Sequence, residues 1–285
     1  LRGVPPPFHH SANNPRIRGS DPAFAGAPAK PKFIYRKHLR ASRNATISLL
    51  FSCTMLRIGY NTRMKNASPK LSAASKMPCK SWSLPAWKTC PGARNDDGSP
   101  VDACATCYAL QGRYTFGAVE AVREHNLSDW KADGWVDAMV QHIGKSKFFR
   151  WFDSGDIYNV TLAAKILDVV TETPGCSHWI PTRAYKDDTI LPVLRMMQSL
   201  PNCVVRFSSD SVDGEVLENE EHSSTIISDD SQFISGKGNV LCTAYKRKGK
   251  CGNCRACFDK RVRVVTYPQH GRKVNPKMFE KSLAE

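Results

Sequence analysis

The sequence predicts an α/β fold, a partial or irregular βα barrel with cysteine-rich loops and a disordered basic N-terminal arm. Short apolar segments typical of buried strands begin at residues 147, 177 and 203, with amphipathic segments between them. Their spacing of 30 and 26 residues is the length of a βα unit, which favours a parallel sheet with right-handed crossovers. Because about 200 residues carry this pattern, fewer than the roughly 250 of a complete eight-unit barrel, a small open α/β sheet is the alternative.

Residues 1–76 are predicted to be the disordered basic arm, or upstream sequence that is not native to the protein. Residues 1–46 are rich in Pro, Ser, Asn and Arg without helical or strand periodicity, and residues 1–78 hold 14 Lys/Arg and one Asp. Residues 77–285 are predicted to form a single domain. The apolar content of 41% is enough for a core, and no stretch is long enough to span a membrane.

Apolar periodicity and helix-breaking residues define the elements of the patterned region. Residues 117–144 are predicted to form two helices that break near Asn126, with Ser128 as the N-cap of the second. Pro174 and Pro201 end the next two helices. The remaining predicted segments are strand Lys147–Asp153, helix Asn159–Thr173, strand Ser177–Thr182, helix Asp188–Ser199, strand Cys203–Ser208 and three later strands, Ser224–Ser228, Asn239–Ala244 and Val262–Tyr267.

Seven of the 11 cysteines fall into two groups. The first cysteine set is Cys90, Cys104 and Cys107, and the second cysteine set is Cys242, Cys251, Cys254 and Cys257. Soft thiolates at such spacing select zinc or an iron–sulfur cluster. Three cysteines at three-residue steps are more typical of ferredoxin-like cluster ligation than of a zinc ribbon, which favours iron. The odd cysteine count and the C-x-x-C steps indicate a reducing cytoplasm rather than a secreted disulfide scaffold.

Three further cysteines of the patterned region lie outside these sets. Cys176 and Cys203 flank apolar runs and are predicted to be ordinary buried thiols. Cys79 is close enough to Cys90 in sequence to be considered as a fourth ligand of the first set.

Polar residues follow each of the three predicted strands, where parallel α/β sheets place their sites. Ser154, Gly155 and Asp156 follow the first strand, Arg183 follows the second and Asp210 follows the third. Turn residues also favour Ser, Gly and Asp, so any one triplet alone is uninformative. Taken together, the set predicts a site whose candidate catalytic residues are Asp156, Arg183 and Asp210.

The net charge of +15 is unevenly distributed along the chain. Residues 79–240 hold 15 Lys/Arg against 22 Asp/Glu, whereas residues 241–285 hold 12 Lys/Arg against three Asp/Glu. The basic residues around the second cysteine set could bind nucleic acid or offset the negative charge of a thiolate-ligated cluster. The alternative to an iron–sulfur protein is therefore a zinc-binding module whose basic surface contacts phosphates through Lys246, Arg247, Lys248, Lys250 and Arg255.

Six segments in order resemble the phage gene-product-88 family. They are KSWSLPAWKTCPGA, CATCYALQGRY, FRWFDSGDIYN, WIPTRAYK, VVRFSSDSVDGE and GKCGNCRACFDKRVRVVTYPQHGRK. The resemblance covers residues 77–273 and implies that the seven cysteines of the two sets are the family's motif cysteines. A phage origin would imply the cytoplasm of an infected bacterium.

A more distant similarity is to radical S-adenosylmethionine enzymes. It implies that the first cysteine set holds a [4Fe–4S] cluster with one iron open to S-adenosylmethionine. Ser154, Gly155 and Asp156 would then replace the strand-end element that binds the cofactor, with Asp156 as the carboxylate for its amino group. The family spacing is C-x3-C-x2-C, whereas this chain has C-x13-C-x2-C. The resulting hypothesis is an iron–sulfur protein of unknown substrate, resembling a radical enzyme.

Overall fold

An eight-stranded, mostly parallel sheet forms the centre of the computed structural model, which describes residues 67–73, 75–77 and 79–284. The strands are β1 Ser72–Ala73, β2 Lys80–Trp82, β3 Phe148–Trp151, β4 Ser177–Thr182, β5 Cys203–Ser208, β6 Ser223–Ile227, β7 Asn239–Leu241 and β8 Val264–Pro268. Their order in the sheet is β1-β2-β3-β4-β5-β6-β8-β7. β1 is antiparallel to β2, and every other neighbouring pair is parallel.

Six α-helices accompany the sheet in the described part of the chain. They are α1 Asp102–Ala105, α2 Gly117–Asp129, α3 Trp135–Ile143, α4 Val160–Glu172, α5 Leu191–Ser199 and α6 Pro276–Ala284. Asn159 caps α4 by accepting from the Thr161 and Leu162 amides. The buried positions of α4 recur at helical spacing, so one face of this helix packs on the core. Within these residues, no helix is long and apolar enough to cross a membrane.

The main hydrophobic core lies between the sheet and the helices α3, α4 and α5. Alternate residues of the strands point into it, including Trp82, Phe149, Trp151 and Phe207. Trp82 meets Trp135 of α3 edge-on, with ring centroids 5.2 Å apart. The other strand residues, such as Arg150 and Trp179, therefore lie on the opposite face of the sheet.

The parallel α/β prediction is confirmed, while closure into a partial barrel stays a prediction. Strands β2 to β6 follow one another in chain order, as expected for successive βα units. β1 and β7 are the two edges of the sheet. The Cys251 amide, beyond β7, donates to the Lys76 carbonyl, which lies between β1 and β2, at 2.9 Å. This contact brings the segments beside the two edges together and supports a curved sheet.

The helix break was predicted four residues too early. Asn126 and Ser128 lie inside α2, and the chain turns at residues 130–134. Ser128 is not an N-cap, because its hydroxyl donates to the His125 carbonyl one turn back. Asn126 is fully buried and binds three main-chain groups, the Lys70 amide, the Lys70 carbonyl and the Ser83 carbonyl.

The ordered contacts of the domain begin before the predicted boundary at residue 77. Ala67 and Leu71 pack on the main core, and the Ser68 amide donates to Asp129 Oδ1 at 2.7 Å. The predicted disordered arm otherwise lies outside the described residues.

Candidate functional site

A cavity of about 490 Å³ opens on the face of the sheet opposite α3, α4 and α5. We call it the central cavity. Its walls come from the ends of β3, β4, β5, β6 and β8 and from both cysteine sets. Its volume is within the range of small-molecule sites in proteins. Six motif cysteines line it, namely Cys90, Cys104, Cys107, Cys242, Cys251 and Cys257.

The loop that carries the first cysteine set is held by main-chain hydrogen bonds from distant segments. The Ala103 amide donates to the Asp210 carbonyl at 2.8 Å, beyond the end of β5. The Val274 amide, beyond β8, donates to the Ala105 carbonyl at 2.9 Å. The cysteines thus lie at the edge of the sheet where the sequence predicts a site.

The three thiols of the first set lie close to one another. Burial raises the pKa of Cys90, and Asp156, Cys107 and Cys104 raise it further. Burial, followed by the charge of Cys104, raises the pKa of Cys107 to about 11. Without a metal these thiols are therefore protonated at neutral pH, and a bound metal would have to displace their protons.

Asp156 links the ends of β3 and β4 beside the first cysteine set. Its Oδ1 accepts from the Thr182 hydroxyl at 2.6 Å and from the Ile157 amide at 2.7 Å. Its Oδ2 accepts from the Arg183 amide at 2.8 Å. Burial raises the pKa of Asp156 to about 6, although these hydrogen bonds oppose the rise. Both oxygens already have donors, yet the residue lines the central cavity.

Ser154 and Gly155 also line the cavity, and both pack against the segment that follows β2. The Ser154 hydroxyl donates to the Leu84 carbonyl at 2.8 Å. Gly155 has a φ of +74°, and a Cβ there would lie 2.6 Å from Thr89 Oγ1. Their contact with a cofactor stays a prediction.

Arg183 lines the cavity. Asp210 does not line it but forms an ion pair with Arg183. The Arg183 Nε donates to Asp210 Oδ1 at 3.1 Å, and its Nη2 donates to the Ser209 carbonyl. Lys186 pairs with the other Asp210 oxygen and donates to the Gly92 carbonyl at 2.9 Å. The structure therefore brings the three candidate catalytic residues together, with Arg183 and Asp156 at the cavity.

The second cysteine set lies at the other end of the cavity, apart from Cys254. Cys254 is exposed and does not line the cavity. The Cys257 Sγ lies 3.1 Å from the Tyr267 hydroxyl of β8. Cys79 packs with this set, against the cluster that contains Cys251, and not with Cys90 as its sequence position suggested. Cys176 and Cys203 are buried in the main core, as predicted.

A family model described as gene product 88 matches residues 53–260. The chain belongs to the gene product 88 family. The match spans both cysteine sets and begins upstream of residue 77, the start of the region that resembles the family. It confirms a phage gene-product family. Searches of curated proteins and of solved structures each gave no match.

The most informative residue that sequence reasoning missed in this gene product 88 chain is Arg150 of β3. Its Nη1 donates to Asp153 Oδ1 at 2.7 Å and its Nη2 donates to the Tyr108 hydroxyl at 3.3 Å. Its guanidinium lies 4.8 Å from the Trp179 ring centre. The signal was present, because a charged residue inside the apolar run FFRWFD must have partners on the buried face.

The six motif cysteines that line the cavity of this family member are soft donors of the kind that bind zinc or an iron–sulfur cluster. Zinc draws four thiolates to about 2.3 Å from one atom. Within residues 67–284, as far as they are described, no group of three or more Cys, His, Asp or Glu side chains is arranged to hold a metal ion.

The basic loop, residues 245–255, lies beside the second cysteine set. Lys246, Arg247, Lys248 and Lys250 are exposed, and none forms an ion pair with a described residue. Because solvent surrounds these charges, they are poorly placed to offset the charge of a buried cluster.

Proposed function

We propose that this protein is an iron–sulfur enzyme of the cytoplasm whose reaction takes place in the central cavity. The observation that carries the proposal is the convergence of six motif cysteines, Asp156 and Arg183 on one cavity at the carboxyl edge of a parallel sheet. Ligand sites of parallel α/β sheets lie at that edge. The soft donors favour an iron–sulfur cluster.

In this proposal the first cysteine set holds a [4Fe–4S] cluster. Three thiolates leave one iron position open, where S-adenosylmethionine is the candidate cofactor by similarity to radical enzymes. When bound, the cluster would supply an electron for cleavage of that cofactor. Asp156 and Arg183 would orient the bound molecule beside the cysteines, with Asp210 fixing the guanidinium. The second set would hold a second cluster or, in place of S-adenosylmethionine, donate the fourth ligand of the first.

Iron content of cysteine variants tests the proposal. The full chain is purified without oxygen as wild type, as C90A/C104A/C107A and as C242A/C251A/C257A. The matched control is C176A/C203A, which removes two buried thiols outside the cavity. About eight irons per wild-type chain indicate two clusters and about four indicate one. Loss of iron in the first-set variant but not in the control supports the proposal, and equal iron in all four proteins contradicts it.

Binding of nucleic acid through the basic loop is a second candidate function. The exposed cations of the loop, which form no ion pair with a described residue, favour it, since Lys and Arg contacts with phosphates supply most sequence-independent affinity. Zinc binding by the second cysteine set beside this loop stays a prediction.

Fluorescence anisotropy with labelled single-stranded and duplex DNA tests this candidate. K246Q/K248Q should weaken binding and flatten its salt dependence, with the logarithmic slope reduced by roughly one per lost phosphate contact. K145Q/K147Q removes two exposed lysines elsewhere and is the charge-matched control. If both double variants weaken DNA binding equally, the effect would come from the net charge of the protein and not from the basic loop.

A further inference from the structure

We propose that the end of the central cavity beside the second cysteine set is a subsite for an oxyanion, the carboxylate or phosphate group of a small substrate. The proposal rests on the proposed function only in taking the central cavity as the substrate site. It is carried by hydrogen-bond donors that find no acceptor among the described residues.

Arg150 is the main donor. A guanidinium has five N–H groups, and Arg150 uses two of its nitrogens, toward Asp153 and Tyr108. The residue is 9% exposed, and its Nε has no acceptor among the described residues. A buried donor without an acceptor is unfavourable, which points to a partner absent from the protein alone.

Trp179 adds a second open donor beside the first. It is the register partner of Arg150 on β4, and its ring lies against the guanidinium. Its indole Nε1 is buried and lacks an acceptor in the part of the chain that the structure describes. Other tryptophans, such as Trp135, share this feature but face the closed core instead of the cavity.

The carboxylates of the cavity wall are already engaged and cannot fill this role. Asp153 accepts from Arg150 and, through Oδ2, from the Tyr114 hydroxyl at 2.7 Å. Asp156 accepts from three donors near the first cysteine set. An oxyanion of a ligand would supply the acceptor that Arg150 and Trp179 lack among the described residues.

A second positive charge lies at the same end of the cavity. Lys76 lines the cavity, with its Nζ 5.9 Å from the Tyr267 ring centre, and forms no ion pair with a described residue. The Lys76 carbonyl accepts from the Cys251 amide at 2.9 Å, and Lys76, Arg150 and Cys251 all line the cavity. Together the two cations favour an anionic group over a neutral one.

Equilibrium dialysis with radiolabelled phosphate and radiolabelled acetate, at constant ionic strength in chloride, tests the subsite. Wild type should bind at least one of them saturably. R150K should weaken binding about tenfold because it loses the planar donor fork. W179F keeps a ring over Arg150 and removes only the open donor, so it should fold normally and weaken binding about fivefold.

W135F is the matched control, because it removes an equally unpartnered indole donor away from the cavity. Tighter phosphate binding would identify a phosphate-bearing substrate, and tighter acetate binding a carboxylate. Absence of saturable binding for both anions, or equal weakening by W135F and W179F, would overturn the inference. Iron is measured in the same samples, so anion binding by iron-free protein would uphold the subsite while removing the cluster proposal.

Discussion

At the residue scale, buried polar side chains determine the local geometry of this protein. Asp156 joins two strand ends, Asn126 ties α2 to the segment before β1, and Arg150 stands between the two cysteine sets. Each satisfies main-chain or side-chain groups that would otherwise be buried without partners. Their replacement should therefore affect the shape of the site as much as its chemistry.

His178 makes the stability of the fold depend on pH. It is fully buried, accepts from the Trp151 indole at Nδ1 and contacts the Thr173 hydroxyl at Nε2. Burial lowers the pKa of His178 to about 4, from an ordinary 6.5. The unfolded chain therefore binds a proton that the native state does not, and stability is lost as the pH falls from 6.5 toward 4.

Urea unfolding of wild type and H178Q across this pH range measures the effect. Wild type should lose roughly 3 kcal/mol more of its unfolding free energy than the variant between pH 7 and pH 4. Parallel pH dependences for the two proteins would show that His178 is not the titrating group.

The loop that carries the first cysteine set packs so closely at Gly92 that no side chain fits there. A Cβ at this position would lie 2.3 Å from the Arg183 carbonyl oxygen. G92A should destabilise the protein by about 1–3 kcal/mol through overpacking and should lower its iron content. G117A is the control, since a Cβ at the start of α2 meets nothing within 4 Å. Equal thermal unfolding midpoints for the two variants would contradict the packing argument.

At the element scale, a single arginine of β5 anchors the segment that follows the second cysteine set. Arg206 of β5 is fully buried and has no carboxylate partner among the described residues. Its guanidinium donates to main-chain carbonyls at distances of 2.9 to 3.4 Å. These carbonyls belong to Ser223, Ala256, Cys257, Asp259, Val262 and Arg263.

R206M should destabilise the fold by roughly 3 kcal/mol, because several buried carbonyls lose their donor. It should also speed the reaction of the second-set thiols with a thiol reagent in metal-free protein, because the Cys257 segment loosens. R195M removes a half-exposed arginine paired with Glu220 and should cost about 1 kcal/mol or less. Unchanged thiol reactivity in R206M would contradict the claim that Arg206 holds the Cys257 segment in place.

At the scale of the whole molecule, the alternation of strands and helices from β3 to β5 could be predicted from the sequence. β4 and β5 have the predicted bounds, because their apolar runs are bounded by turn residues. β1 and β2 were missed because two or three residues are too short to show a period. The meeting of the cysteine sets was also unpredictable, since it depends on β8 inserting between β6 and β7 against chain order.

Metal analysis of the anaerobically purified full chain, with its visible spectrum, tests the central claim most directly. Iron and sulfide should be present in equal amounts, with about four of each per cluster and a broad visible absorption. The absorption should disappear in C90A/C104A/C107A if the wild type holds one cluster, or fall by about half if it holds two, and it should persist unchanged in C176A/C203A. A colourless protein that holds zinc, or that takes up no iron and sulfide on reconstitution, would contradict the account.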